Sequence, residues 1–134
     1  MPDLEELRRK FDTSTYALFM GMTCEELSKG YARIKMTVKP EFMNFENLLH
    51  GGVLASLLDQ AFGCSLNTLD QIYVAVQLNI NFMSSAPAGE ALTAEGKVLH
   101  AGRTLGIAEM TVTDSKGRLI ARATGTTVSI GPRK

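Results

Sequence analysis

Between His50 and Leu69 the chain carries one charged side chain, Asp59, and this twenty-residue stretch constrains the fold more than any other. Leu54, Leu57, Leu58, Ala61 and Ser65 recur at helical spacing, and a helix this apolar must be buried over most of its circumference. What surrounds it is strand. Ile34, Met36 and Val38 alternate with Arg33, Lys35, Thr37 and Lys39 before Pro40 ends the run. Beyond the helix, Val74, Val76, Leu78, Ile80 and Phe82 alternate with Ala75, Gln77, Asn79, Asn81 and Met83, and Pro87, Ala88 and Gly89 break that pattern. Three further alternating runs, near Leu92–Leu99, Leu105–Thr113 and Leu119–Ile130, are joined by turns at Ala101-Gly102 and Asp114–Gly117, short enough for hairpins. One long helix wrapped in an antiparallel meander is an α+β architecture.

Residues 1–15 stand apart as a peripheral helix. Leu4, Leu7 and Phe11 form a narrow apolar stripe among charged residues, and residues 16–134 make the main domain. Acidic and basic side chains alternate where a signal peptide would be apolar, and nothing approaches a membrane span. Fourteen acidic side chains balance fourteen basic ones without a run of either sign, which argues against nucleic acid as a partner. Cys24 and Cys64 lie far apart with no metal-ligand spacing, and two histidines are too few for a catalytic metal centre, so reduced thiols, a cytoplasmic location and no cofactor are expected.

Chemistry concentrates on the helix. Gly51 and Gly52 open it, where the first N–H groups lack intrahelical partners and a missing Cβ lets a ligand oxygen approach; the same glycines would also serve a tight entry or close packing. Asp59 shares its side of the helical wheel with Gly52, Ala55, Ser56, Phe62, Gly63 and Leu66, and no Lys or Arg. A carboxylate in such surroundings needs a structural hydrogen-bond partner or a catalytic task. Gly51 and Asp59 are eight residues apart, about 12 Å along a helix, whereas an oxyanion donor and a base acting on one carbonyl each approach within about 3 Å. If both act on one substrate, they come from different subunits meeting at a twofold interface. His50 is a leaving-group acid, a substrate contact or a cap.

His50-Gly51-Gly52, the acid at Asp59 and Asn44 six residues before the histidine resemble the signature of PaaI-type hotdog thioesterases, and the resemblance continues through VAVQLNINFMSSAPAGE and HAGRTLGIAEMTVTDSKGRLIARATGT. It implies a hotdog fold, a homodimer or dimer of dimers, and hydrolysis of an acyl- or aryl-coenzyme A thioester. On that resemblance the Gly51 N–H polarises the thioester carbonyl, Asp59 activates water or attacks directly, and His50 and Asn44 support the carbonyl or thiol end. Gly52 and Phe82, Met83, Ser84 and Ser85 would contact substrate, as would His100, Gly102, Arg103, Thr104 and Leu105, with Arg103 on a phosphate. The chain departs from the pattern at Ala75, where relatives often carry Ser or Thr to hold the attacking water, and at Asn47, where Gly is common. Two other functions suit such a fold. A non-catalytic acyl-CoA-binding module has Ala75 in its favour, and a hydratase or dehydratase needs a His–acid arrangement that His50 and Asp59 do not reproduce.

Overall fold

Asp3 fixes the start of the first helix. In the computed structural model, which describes residues 2–133, its carboxylate accepts the N–H groups of Glu5 and Glu6 at 3.0 and 3.3 Å and caps α1 (Leu4–Thr13). Leu7 is the buried side of this helix, and Asp12 ties it to the first strand by accepting the Cys24 N–H at 2.6 Å. A second helix, α2 (Thr15–Met20), follows at once and ends at Gly21, whose φ of 77° suits a residue without a Cβ. It buries Ala17 and Met20 and leaves Tyr16, Leu18 and Phe19 outside. The periodicity of the sequence did not indicate this helix, because six residues make fewer than two turns.

The strands are β1 (Thr23–Ser28), β2 (Tyr31–Thr37), β3 (Gln71–Phe82), β4 (Ala91–Ala101), β5 (Leu105–Thr113) and β6 (Leu119–Pro132). They form one antiparallel sheet in the order β1-β2-β4-β5-β6-β3, so β1 and β3 are its edges. The long helix, α3 (Gly51–Leu66), lies across one face and touches every strand. Leu54, Leu57, Leu58, Phe62 and Leu66 are buried there, each contributing about 1.5–3 kcal/mol relative to exposure. Close approach of helix to sheet depends on strand glycines. A Cβ on Gly96 would stand 2.5 Å from the Ala61 carbonyl oxygen, and one on Gly125 would stand 2.5 Å from the Phe62 ring. The α+β class, the central helix and the meander are as the sequence pattern indicates. No helix among the described residues is long and apolar enough to cross a membrane.

One strand departs from its pattern. The uninterrupted alternation from Val74 to Phe82 implies a single inward face, but the β3–β6 register shifts between Ala75 and Gln77. Val76 is the extra residue of a bulge, which reverses which side chains face the helix. Tyr73 therefore shares the inward side with Leu78 and Ile80, while Val74 and Val76 are 45% and 59% exposed on an edge strand.

Candidate active site

His50 is the N-cap of α3. Its Nδ1 accepts the Gly52 N–H at 3.1 Å, so in the neutral ring the proton sits on Nε2, which faces away from the helix. Capping satisfies Gly52 and leaves the Gly51 N–H without an acceptor among the described residues. An unpaired N–H at the positive end of a sixteen-residue helix is a donor of the kind that stabilises negative charge. The Phe82 ring lies over Gly51, 3.4 Å from where a Cβ would be.

The loop before His50 is held from several sides. Asn44 Oδ1 accepts the N–H groups of Glu46 and Leu48 at 2.9 and 3.0 Å, and Ser85 Oγ accepts that of Leu49 at 3.0 Å. The His50 N–H donates to the Phe42 carbonyl at 2.9 Å. Asn47 has a φ of 60°, a left-handed conformation that glycine adopts without strain and asparagine tolerates. Asparagine therefore suits the conformation found at this position. Asn44 has its side-chain oxygen committed to its own loop, and its amide NH₂ makes no hydrogen bond among the described residues.

Asp59 stands two turns further along α3. The accessible stripe of the helix includes Gly52, Ala55, Ser56, Asp59, Gln60 and Gly63, whereas Phe62 and Leu66 are wholly buried against the sheet. The helical wheel had grouped those two with the acid, so the open face is narrower than the sequence implies. The Asp59 carboxylate keeps access to solvent on one side, and protein packed on the other side desolvates it and raises its pKa above the ordinary carboxylate value. No group among the described residues donates a hydrogen bond to it. The structural reading of Asp59, a carboxylate retained to accept hydrogen bonds from a neighbouring strand, has no partner to support it. Sequence patterns also missed Tyr16. Its hydroxyl lies 2.7 Å from Ser56 Oγ, so α2 covers the stripe one turn before Asp59.

The remaining singled-out residues form a second group at the opposite end of α3. The Tyr73 hydroxyl donates to the Gly102 carbonyl at 2.7 Å, the Gly102 N–H donates to Leu105, and the Ser129 N–H donates to Thr104, which shapes the β4–β5 turn. His100 packs beside Gly102, and Arg103 is exposed. Ala75 is paired with Thr127 in the register and is itself accessible. Phe82, Met83, Ser84 and Ser85 belong instead with His50 and Gly51. Seven residues of β3 separate Ala75 from Phe82, roughly 20 Å. The residues singled out from the sequence thus fall into two groups at opposite ends of the helix, with Asp59 between them.

A long helix wrapped by an antiparallel sheet, with a free backbone donor at its N-terminus and an unpaired carboxylate on its open stripe, defines a hotdog-fold hydrolase. Residues 46–121 match the thioesterase superfamily, and the chain belongs to that family, within its PaaI-type hotdog members. A candidate esterase of Archaeoglobus fulgidus is 39% identical over 101 residues, which are 75% of this chain and 66% of that one. The acyl-coenzyme A thioesterase PaaI of Escherichia coli is 29% identical over 90% of this chain and 86% of its own. The PaaI crystal structure superimposes with a TM-score of 0.89, at 27% identity, over 97% of this chain and 98% of that one. A hypothetical thioesterase of Streptococcus pneumoniae solved with coenzyme A gives a TM-score of 0.86 at 27% identity, covering 94% of this chain and 98% of that one. Two variants of that pneumococcal protein replace an aspartate and a threonine, sixteen residues apart, by alanine. Asp59 and Ala75 are also sixteen residues apart.

Proposed function

We propose that the protein hydrolyses an acyl- or aryl-coenzyme A thioester to the free acid and coenzyme A, at sites shared between two copies of the chain. The observation that carries this reading is Asp59: a solvent-accessible, partly desolvated carboxylate without a hydrogen-bond donor, on a stripe of small residues that leaves room for a substrate. Desolvation makes it a better base. Asp59 takes a proton from water, the hydroxide adds to the thioester carbonyl, and the oxyanion is stabilised by the Gly51 N–H of the second copy. Collapse of the tetrahedral intermediate breaks the C–S bond, and the departing thiolate takes up a proton. Direct attack by Asp59 through a mixed anhydride satisfies the same geometry, water then cleaving the anhydride. In this reading His50, through Nε2–H, and the Asn44 amide donate to the carbonyl or the sulfur.

The edge of β3 supports the shared site. It is twelve residues long, pairs on one side only with β6, and exposes Val74, Val76 and Phe82. Antiparallel pairing of two such edges about a twofold axis sets the Gly51 and Phe82 end of one copy against the Ala75 end of the other. Leu18 and Phe19 on α2 and Phe45 in the loop before α3 are also exposed, which supports further association into a dimer of dimers.

Ala75 favours a second reading, a module that binds acyl-CoA without turning it over, because it offers no hydroxyl to hold the attacking water. A thiol-release assay across acyl- and aryl-CoA substrates, run beside equilibrium binding of coenzyme A, decides between the two. Thiol release by the unaltered protein and its loss in Asp59→Asn supports hydrolysis. Stoichiometric binding without release would establish the module instead.

A further inference from the structure

The Gly51 N–H is unpaired, so no hydrogen bond of its own fixes where that donor points. Downstream, α3 holds it; upstream, its position depends on the loop 40–50. Most hydrogen bonds of that loop close within the loop: Asn44 Oδ1 takes the N–H groups of Glu46 and Leu48, and the Phe42 carbonyl takes that of His50. Among the described residues one bond leaves the loop for the segment after β3, from the Leu49 N–H to Ser85 Oγ at 3.0 Å. We propose that Ser85, held in place by Arg118, positions the Gly51 donor for the reaction; the inference rests on the thioester hydrolysis reading above.

Both ends of the Leu49–Ser85 bond are fixed. Leu49 is buried, and its nitrogen lies two residues before that of Gly51, at most about 7 Å along the chain, so a shift at Leu49 reaches the donor with little slack. On the other side, Met83 and Ser84 both donate their N–H groups to the Ile120 carbonyl, at 2.9 and 3.1 Å, and Arg118 Nη2 donates to the Ser85 carbonyl at 3.1 Å. The segment that carries Ser85 follows directly on Phe82, whose ring lies over Gly51. It therefore meets the start of α3 at two points.

Arg118 is aimed by the β5–β6 turn. Asp114 Oδ1 accepts the N–H groups of Lys116 and Arg118 at 3.0 and 2.9 Å, and Oδ2 accepts Arg118 Nε at 3.3 Å. The Asp114 side chain is 8% exposed and that of Arg118 is 60% exposed. A packed carboxylate thus steers an exposed guanidinium, and the bond from that guanidinium to Ser85 supplies direction more than stability. Direction is what the donor needs. An oxyanion donor works within about 3 Å of the position the oxygen reaches, and misplacement by about 1 Å costs up to ~10²-fold.

The test measures kcat and KM for thiol release from one acyl-CoA by the full-length protein and its variants. Ser85→Ala should lower kcat about ten-fold with KM within about two-fold of the parent, and Ser85→Thr, which keeps the acceptor oxygen, should recover most of the loss. Arg118→Ala should lower kcat about three-fold with KM and Tm nearly unchanged, and Arg118→Lys should recover part of it. Because Arg118 acts through Ser85, adding Arg118→Ala to Ser85→Ala should cost nothing further. A rise in KM at constant kcat in Ser85→Ala would make Ser85 a substrate contact and overturn the assignment. Unaltered kcat in the single variants, or losses that multiply in the double variant, would overturn it too. Should Ser85→Ala fail to fold, the exposed Arg118 decides alone: unaltered kcat in Arg118→Ala overturns the assignment, and a loss that Arg118→Lys reverses supports it. Thiol release by the parent and its loss in Asp59→Asn keep the thioesterase reading intact in each of these cases, whereas a parent that releases no thiol overturns both.

Discussion

Asp59 is where chemistry and stability oppose each other. Removing its charge with little change of shape, Asp59→Asn should lower kcat by at least ~10²-fold with KM nearly constant, since a base acts in the transition state and not in binding. Steady-state thiol release measures this, and a folded variant with unaltered turnover would remove Asp59 from the mechanism. The same substitution should stabilise the protein near neutral pH. Desolvation raises the pKa of Asp59 in the folded state above its unfolded value of 3.8. The folded protein therefore holds this proton more tightly, and the stability associated with it is complete below about pH 3.8 and lost as pH rises through the folded-state pKa. At pH 7 the ionised carboxylate is a standing cost that asparagine lacks. Thermal melts should show a higher Tm for Asp59→Asn at pH 7, with the advantage vanishing toward pH 3.8. An equal difference at both pH values would mean that charge desolvation is not its source.

At the level of elements, the packing of α3 against the sheet depends on strand positions without side chains. Gly96→Ala would place a methyl group 2.5 Å from the Ala61 carbonyl oxygen, a backbone atom of α3 that cannot rotate aside. The helix must move, at a cost of about 1–3 kcal/mol. Chemical denaturation should show a lower midpoint with an unaltered slope, and a variant as stable as the parent would mean that the helix sits further from β4 than described. The central helix and five of the strands, β2 to β6, were legible in the sequence because each runs long enough to display its period. α2 was not, since TYALFM completes fewer than two turns. The bulge at Val76 was hidden for a different reason: leading into it the strand is apolar on both faces, Tyr73 and Ala75 on one and Val74 on the other, so the alternation reads through a reversal of facing. At the site, residue types were informative and directions were not. HGG followed by an acid marked the helix, but the cap made by His50 Nδ1, the loop bonds of Asn44 and the roof made by Tyr16 depend on contacts that no local spacing encodes.

For the whole molecule, the proposed sharing of sites between two copies makes a distinct prediction. Gly51→Pro removes the proposed oxyanion donor, and proline is tolerated there because Gly51 is the first helical residue after the His50 cap. The ring would crowd Phe82, whose side chain lies 3.4 Å from the Cβ position but is 55% exposed and free to turn outward. Asp59→Asn removes the acid. Homodimers of either variant should be nearly inactive, because every site in them lacks one component. Unfolding the two together and refolding them gives mixed dimers, each with one site that lacks both groups and one site that combines an intact Gly51 from one copy with an intact Asp59 from the other. Random pairing makes half of the dimers mixed and half of their sites competent, so the mixture should recover about a quarter of wild-type activity. Separately refolded variants combined afterwards should recover none of it until subunits exchange. If tagged and purified mixed dimers are as inactive as their parents, Gly51 and Asp59 do not serve a common substrate across the β3 edge, and the shared-site geometry is wrong.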